Sequence, residues 1–171
     1  EIMPSLVGSE MCIRDRGNII DEEYKEGIYV GYRWADLKKQ RPVFAFGHGL
    51  SYTQFAISNL RADKASMTAA DSITFTVQVK NIGQRAGSET VQLYVHDAKA
   101  SVDRPLKELK GFCKVSLQPG ESKDVSITLG KDALSFYDET TASWKAEPGQ
   151  FEAWVGNASD NLKLRKSFQL K

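Results

Sequence analysis

Apolar and polar side chains alternate with a period of two through most of the chain beyond residue 54. Residues 72–80 set Ile73, Phe75, Val77 and Val79 against Thr74, Thr76 and Gln78, the pattern of a strand with one face buried and one face wet. The same alternation recurs with Val91, Leu93 and Val95 in 88–97, Val125, Ile127 and Leu129 in 121–129, and Phe151, Ala153 and Val155 in 150–156. Residues 55–62, 106–117 and 162–170 supply three more strands, and Gly111 is expected to mark a bulge in the second of these. Asn81-Ile82-Gly83, Pro119-Gly120-Glu121 and a loop around 137–143 turn the chain, at roughly the 8 to 12 residue spacing of a sandwich.

No helical period appears in this part, so no crossover helix is available and a parallel sheet is not expected. About seven short strands predict an all-β fold, an immunoglobulin/fibronectin type III-like antiparallel β-sandwich over residues 54–171. Upstream the pattern changes. Ile28, Val30 and Tyr32 alternate with Tyr29 and Gly31, which predicts one strand leaving a sheet, and Ala35 to Lys39 read as a polar turn. The run Phe44-Ala45-Phe46-Gly47-His48-Gly49-Leu50-Ser51-Tyr52 predicts an irregular packed turn rich in aromatic surface. Part of the cover for Tyr24, Tyr29, Tyr32, Trp34, Phe44, Phe46 and Tyr52 is expected from outside this chain. Residues 1–16 show neither period, and PSLVGSEMCIRDR resembles a translated sequencing adapter. They are expected to be a non-native leader outside the fold.

Composition narrows the function classes. With 41% hydrophobic and 26% charged residues the chain is of ordinary globular character. A net charge of +1 from 23 basic and 22 acidic residues gives no field that would favour nucleic acid or an anionic membrane. Apolar runs fall far short of the roughly 20 residues that span a bilayer, and no basic start followed by a long apolar run marks a signal peptide. The two cysteines, Cys12 and Cys113, are read as free thiols, with Cys113 on the core side of its strand beside Val115 and Leu117.

Several segments together resemble family 3 glycoside hydrolases. Tyr24 to Arg33 and Phe44 to Thr53 resemble the passage from the α/β sandwich domain of that family to its C-terminal module. Asn81-Ile82-Gly83, Gly87, Glu89, Val91 to Val95, Arg104 to Phe112, Leu117 to Glu121 and Glu147 to Phe151 continue the resemblance in register to the end of the chain. Ala45 departs from the family, where proline is common. The resemblance implies a fibronectin type III-like domain over 54–171, preceded over 17–53 by the last strand and linker of a truncated α/β domain. It implies a parent enzyme of β-glucosidase or β-xylosidase type acting on terminal β-linked sugars, with its barrel and α/β domains as partners in the same polypeptide. A retaining mechanism needs two carboxyl groups about 5 to 5.5 Å apart, and the resemblance places both upstream of this chain. No residue here is therefore assigned as catalytic, metal-binding or cofactor-binding, and no cofactor is implied. The compartment stays open, with a periplasmic or extracellular parent compatible with the family.

The remaining candidates are few. Arg33, Trp34 and Asp36 lie in the only stretch that the resemblance brings near the parent's substrate entrance, and they are the candidate entrance residues. His48 and His96 have no obvious catalytic partner and read as structural or solvent-exposed. Trp144 and Trp154 read as covers of the core. Asn157-Ala158-Ser159 fits the glycosylation acceptor pattern and reads as an ordinary loop. The rival readings are a carbohydrate-binding module, which would want a row of exposed aromatics, and a cell-surface adhesion domain, which the fold alone would permit.

Overall fold

The computed structural model describes residues 25–171, so the leader reading of 1–16, Tyr24 and Cys12 lie outside the described residues. The body is built from β1 (Phe55–Ala62), β2 (Ser66–Met67), β3 (Ser72–Asn81), β4 (Gly87–Asp97), β5 (Glu108–Leu117), β6 (Ser122–Gly130), β7 (Phe136–Asp138), β8 (Ser143–Lys145), β9 (Gly149–Gly156) and β10 (Leu164–Leu170). One sheet has the order β1-β3-β6 and the other β2-β10-β9-β4-β5, with β7 and β8 as a separate hairpin. In the first sheet Ile73 stands opposite Leu129, Phe75 opposite Ile127 and Val77 opposite Val125. In the second, Val95 stands opposite Ala153 and Leu93 opposite Val155. All of these side chains are buried and meet in one core with Leu117, Phe151, Phe168 and Leu170. The ring of Phe168 lies 5.3 Å from Phe75 and 5.8 Å from Phe151, joining the two sheets. Each such side chain contributes about 1.5 to 3 kcal/mol when fully removed from water.

The all-β class and the inward faces follow the alternation, and so does the bulge. Leu93 pairs with Gly111 but Tyr94 pairs with Leu109, which leaves Lys110 as the extra residue. Gly111 is required there by closeness, since a Cβ would sit 2.5 Å from Cγ2 of Ile127. Cys113 is half-buried against the core and carries a free thiol.

Three details differ from the alternation-based reading. A short parallel pairing does exist, because Ser66 and Met67 lie beside Gln169 and Leu170. Two residues need no crossover helix, since they are an edge extension reached through a loop. The loop around 137–143 is a hairpin, with Tyr137 opposite Trp144. Residues 28–32 form no strand, and Tyr32–Lys38 is an α-helix, α1, that takes in most of the expected polar turn. Gly31, at φ 63 and ψ -124, takes the chain out of the extended path. Trp34 N–H then donates to the Gly31 carbonyl, and Lys39 closes the helix in the left-handed region at φ 54.

Asn81 explains why Asn81-Ile82-Gly83 turns as it does. Its side chain is fully buried, and Nδ2 donates to the carbonyls of Arg85 (2.7 Å) and Leu117 (3.1 Å). Oδ1 accepts from the Gly83 N–H (3.0 Å) and from Thr53 Oγ1 (2.7 Å). One amide thus joins two turns of the sandwich to the end of the upstream segment, with all its hydrogen-bonding capacity used.

Candidate functional site

The outer face of β4, expected to be wet, is covered by the upstream segment. Along β4 the residues Val91 to Val95 are all buried, so Gln92 and Tyr94 are enclosed on the side away from the core. Gln92 Nε2 donates to the carbonyls of Gly47 (3.1 Å) and Asn157 (2.7 Å), while its Oε1 accepts from Tyr94 Oη (2.8 Å). Burial pushes the Tyr94 hydroxyl pKa far up, so it stays a neutral donor. Tyr32 of α1 lies over this pair, edge-on to Tyr94 at 5.6 Å and 5.1 Å from Phe46, and its hydroxyl accepts from the Leu109 N–H at 2.9 Å. Gly47 sits at φ +77, where a Cβ would overlap the Gln92 amide. Only glycine fits both the conformation and the space.

Charged groups fasten the same segment to the start of β5. Arg33 Nη2 lies 3.1 Å from Oε1 of Glu108, and Glu108 also pairs with Arg104 (2.6 Å) and Lys110 (3.4 Å). Arg104 completes the chain with Asp97 at 3.1 Å. Burial would push the Glu108 carboxyl up, but Lys110, Arg104 and Arg33 together hold it below the ordinary carboxylate range. Burial also lowers the Lys110 ammonium, with Glu108 opposing. Asp36 pairs with Lys107, whose side chain is buried beneath α1. Tyr29 Oη donates to Asp103 at 2.6 Å, which raises the phenol pKa. Beyond Gly47, Ser159 N–H donates to the Phe46 carbonyl at 2.9 Å.

The candidate entrance residues therefore share one docked helix but have different engagements. Arg33 and Asp36 both turn toward the sandwich through Glu108 and Lys107. Trp34 is half-buried, with the Lys38 ammonium 4.6 Å from its ring. Tyr32 finds cover within this chain over Tyr94, whereas Phe46 beside it stays 50% exposed. Other apolar groups of the segment remain open: Val43, Leu50 and Tyr52 are each about nine-tenths exposed, and Ile28, Val30 and Phe44 are exposed too.

His96 Nδ1 is 2.7 Å from the Leu106 carbonyl and its ring lies 5.1 Å from Trp154; His48 is exposed near Phe44. Trp154 is buried on the outer face of β9 under Arg165, whose guanidinium lies 4.0 Å from the ring. Trp144 does not cover the core: it is 69% exposed, because β8 belongs to a hairpin that leaves the sandwich. Asn157 gives its Nδ2 to Glu89 at 3.1 Å, with Ala158 and Ser159 buried beside it, so the acceptor amide of the glycosylation pattern is engaged within the fold. The sequence signal for Gln92 and Tyr94 was two large groups on the nominally wet side of β4, ambiguous without the second layer.

Comparison with known proteins places this arrangement. A fibronectin type III-like domain profile matches residues 89–159. The chain is 49% identical over 148 residues to thermostable β-glucosidase B of Acetivibrio thermocellus, covering 86% of this chain and 20% of that protein. Among solved structures, the GH3 β-glucosidase of Bifidobacterium adolescentis superposes with a TM-score of 0.83 at 34% identity, covering 98% of this chain and 23% of that one. The glucose complex of Kluyveromyces marxianus β-glucosidase superposes with a TM-score of 0.78 at 43% identity, over 86% and 17% of the two chains. The chain spans about a fifth of the length of the curated relatives it matches. The chain thus carries a fibronectin type III-like domain over residues 89–159 and is similar, over most of its own length, to about a fifth of the length of β-glucosidases that include a family 3 member.

Proposed function

We propose that this chain is a non-catalytic accessory module of a family 3 glycoside hydrolase of β-glucosidase type, whose catalytic groups and further domains lie elsewhere in the same polypeptide. The observation that carries this reading is the two-sided upstream segment. One side is locked to β4 and β5 by Gln92, Tyr32, Glu108 and Lys107, while the other exposes Val43, Phe44, Leu50 and Tyr52. A segment so fastened to the sandwich and so apolar on its far side acts as a rigid wedge between two bodies. Residues 17–53 then serve as the junction and 54–171 as the brace. In the parent, α1 borders the substrate entrance, with Trp34 as the side chain nearest the sugar and Arg33 and Asp36 holding the helix in place. The carboxylates of Asp97 and Glu108 are neutralised by the shared Arg104, which suits them to structure rather than to acid/base work.

The test is an assay of the 171-residue chain with an aryl β-glucoside. No turnover above buffer is expected; turnover abolished by replacing an Asp or Glu within 25–171 would overturn the reading. A family 3 enzyme lacking the corresponding segment should regain thermal stability when this chain is added, and no gain at all would remove the bracing role.

A further inference from the structure

The β7–β8 hairpin presents two aromatic rings that the accessory role leaves unused. Tyr137 and Trp144 are direct cross-strand partners, with ring centroids 5.7 Å apart at an interplanar angle of 75°. They are 51% and 69% exposed. Indole is among the side chains that gain most from burial, so a surface Trp held in a fixed pair asks for a ligand. The opposite face of the hairpin anchors it, because Phe136 is half-buried with the Arg104 guanidinium 5.9 Å from its ring. Arg104 in turn donates to the Leu134 carbonyl at 3.1 Å.

The rim decides what kind of ligand fits. From Glu139 to Lys145 every residue is exposed, and no aliphatic side chain larger than Ala142 stands among them. Protein-binding hot spots instead lie within neighbours that exclude water. The residues next to the rings along the chain are polar: Asp138 accepts from Thr140, Thr141 and Ser143 share a hydrogen bond of 2.9 Å, and Glu147 accepts from Ser101 and pairs with Lys145. A pyranose with equatorial hydroxyls offers C–H faces that stack on a ring and edge hydroxyls that such a rim can bind.

We propose that Tyr137 and Trp144 form a stacking site for a β-linked gluco-oligosaccharide, separate from any site that α1 borders. The choice of sugar class rests on the function proposed above, whereas the site rests on the hairpin alone. Its role is to hold a sugar chain on the module without cleaving it.

Titration of the isotopically labelled 171-residue chain with cellohexaose, followed by nuclear magnetic resonance, tests this. A saturable shift is expected at the indole N–H of Trp144, identified by its loss in Trp144→Ala, with little change at Trp34 and Trp154. Tyr137→Ala should weaken binding by about ten-fold, the scale of losing one well-used aromatic contact, while leaving the thermal midpoint nearly unchanged. Should Trp144→Ala fail to fold, Trp144→Tyr supplies the second arm, weakening binding in a folded chain. No shift at Trp144, or an undiminished affinity in the folded Tyr137→Ala and Trp144→Tyr variants, would overturn the site. An equal response to α-linked maltohexaose would overturn the sugar class. Turnover of an aryl β-glucoside by the chain would refute the accessory function yet leave this binding result standing.

Discussion

Nε2 of Gln92 lies 3.1 Å from the carbonyl oxygen of Gly47, a residue 45 positions earlier in the chain. This bond holds the glycine-rich turn onto the sandwich, because the same amide also serves Asn157 and the Tyr94 hydroxyl. Gln92→Leu keeps the volume but leaves three buried polar partners unsatisfied, so a loss of about 3 kcal/mol is expected, measured by urea unfolding. Hydrogen exchange of the amides at 46–48 should rise in the same variant. Unchanged protection there would show that the turn is held by something else.

Gly47→Ala attacks the same contact from the other side. At φ +77 an alanine is strained, and its Cβ overlaps the Gln92 amide. Loss of the exchange protection that the linker gives β4 is the expected result, with the core of β3 and β6 intact. Gly49→Ala, where a Cβ meets open space, should leave that protection as it is.

Replacing Asn81 by alanine strands the Arg85 and Leu117 carbonyls together with the Gly83 N–H and the Thr53 hydroxyl. A cost of about 2 to 4 kcal/mol follows from leaving such buried groups unpaired. Asn81→Asp keeps the acceptor but sets a buried carboxylate oxygen against the Arg85 and Leu117 carbonyls, so at neutral pH it should lower the thermal midpoint at least as far as alanine does.

Glu108 carries a pH signature. Its folded pKa lies below the unfolded value of about 4.3, held there by Lys110, Arg104 and Arg33 against the opposing effect of burial. A depressed carboxylate contributes stability that is complete above the unfolded pKa and is lost as pH falls through the folded one. The stability gap between the parent chain and Glu108→Gln should therefore be widest near neutrality and narrow below about pH 4.3. A gap independent of pH would mean that shape, not charge, matters at this position.

A chain beginning at Ser51 separates the two sides of the upstream segment. Loss of Phe44, Phe46 and Leu50 removes exposed apolar surface and should reduce self-association in sedimentation. Loss of Tyr32, Arg33 and Asp36 uncovers Tyr94, takes one of three cations from Glu108 and leaves Lys107 without its carboxylate, so the thermal midpoint should fall as well. A shortened chain of equal or higher midpoint would show that the docking contacts contribute nothing to stability.

The sequence by itself determined the strands and their core faces, because period-two alternation reports directly which side of a strand is dry. Ile73 to Val79, Val125 to Leu129 and Phe151 to Val155 needed no further information, and Gly111 announced its bulge by interrupting the pattern. Only the tertiary structure decided what happens on the other face. Alternation in residues 28–32 looked like a strand, but Gly31 at positive φ and the matched surface of Tyr94 and Gln92 turned the segment into a docked helix. Arg33 and Asp36 were legible as charged residues beside Trp34, whereas their partners Glu108 and Lys107 lie more than 70 positions away and no local pattern connects them. Trp144 became exposed for a similar reason: its alternation is that of any strand, and whether a strand joins a sheet or pairs only with its hairpin neighbour depends on contacts distant in the chain. Periodicity records one layer of burial, and the second layer is set by segments that meet only once the chain has folded.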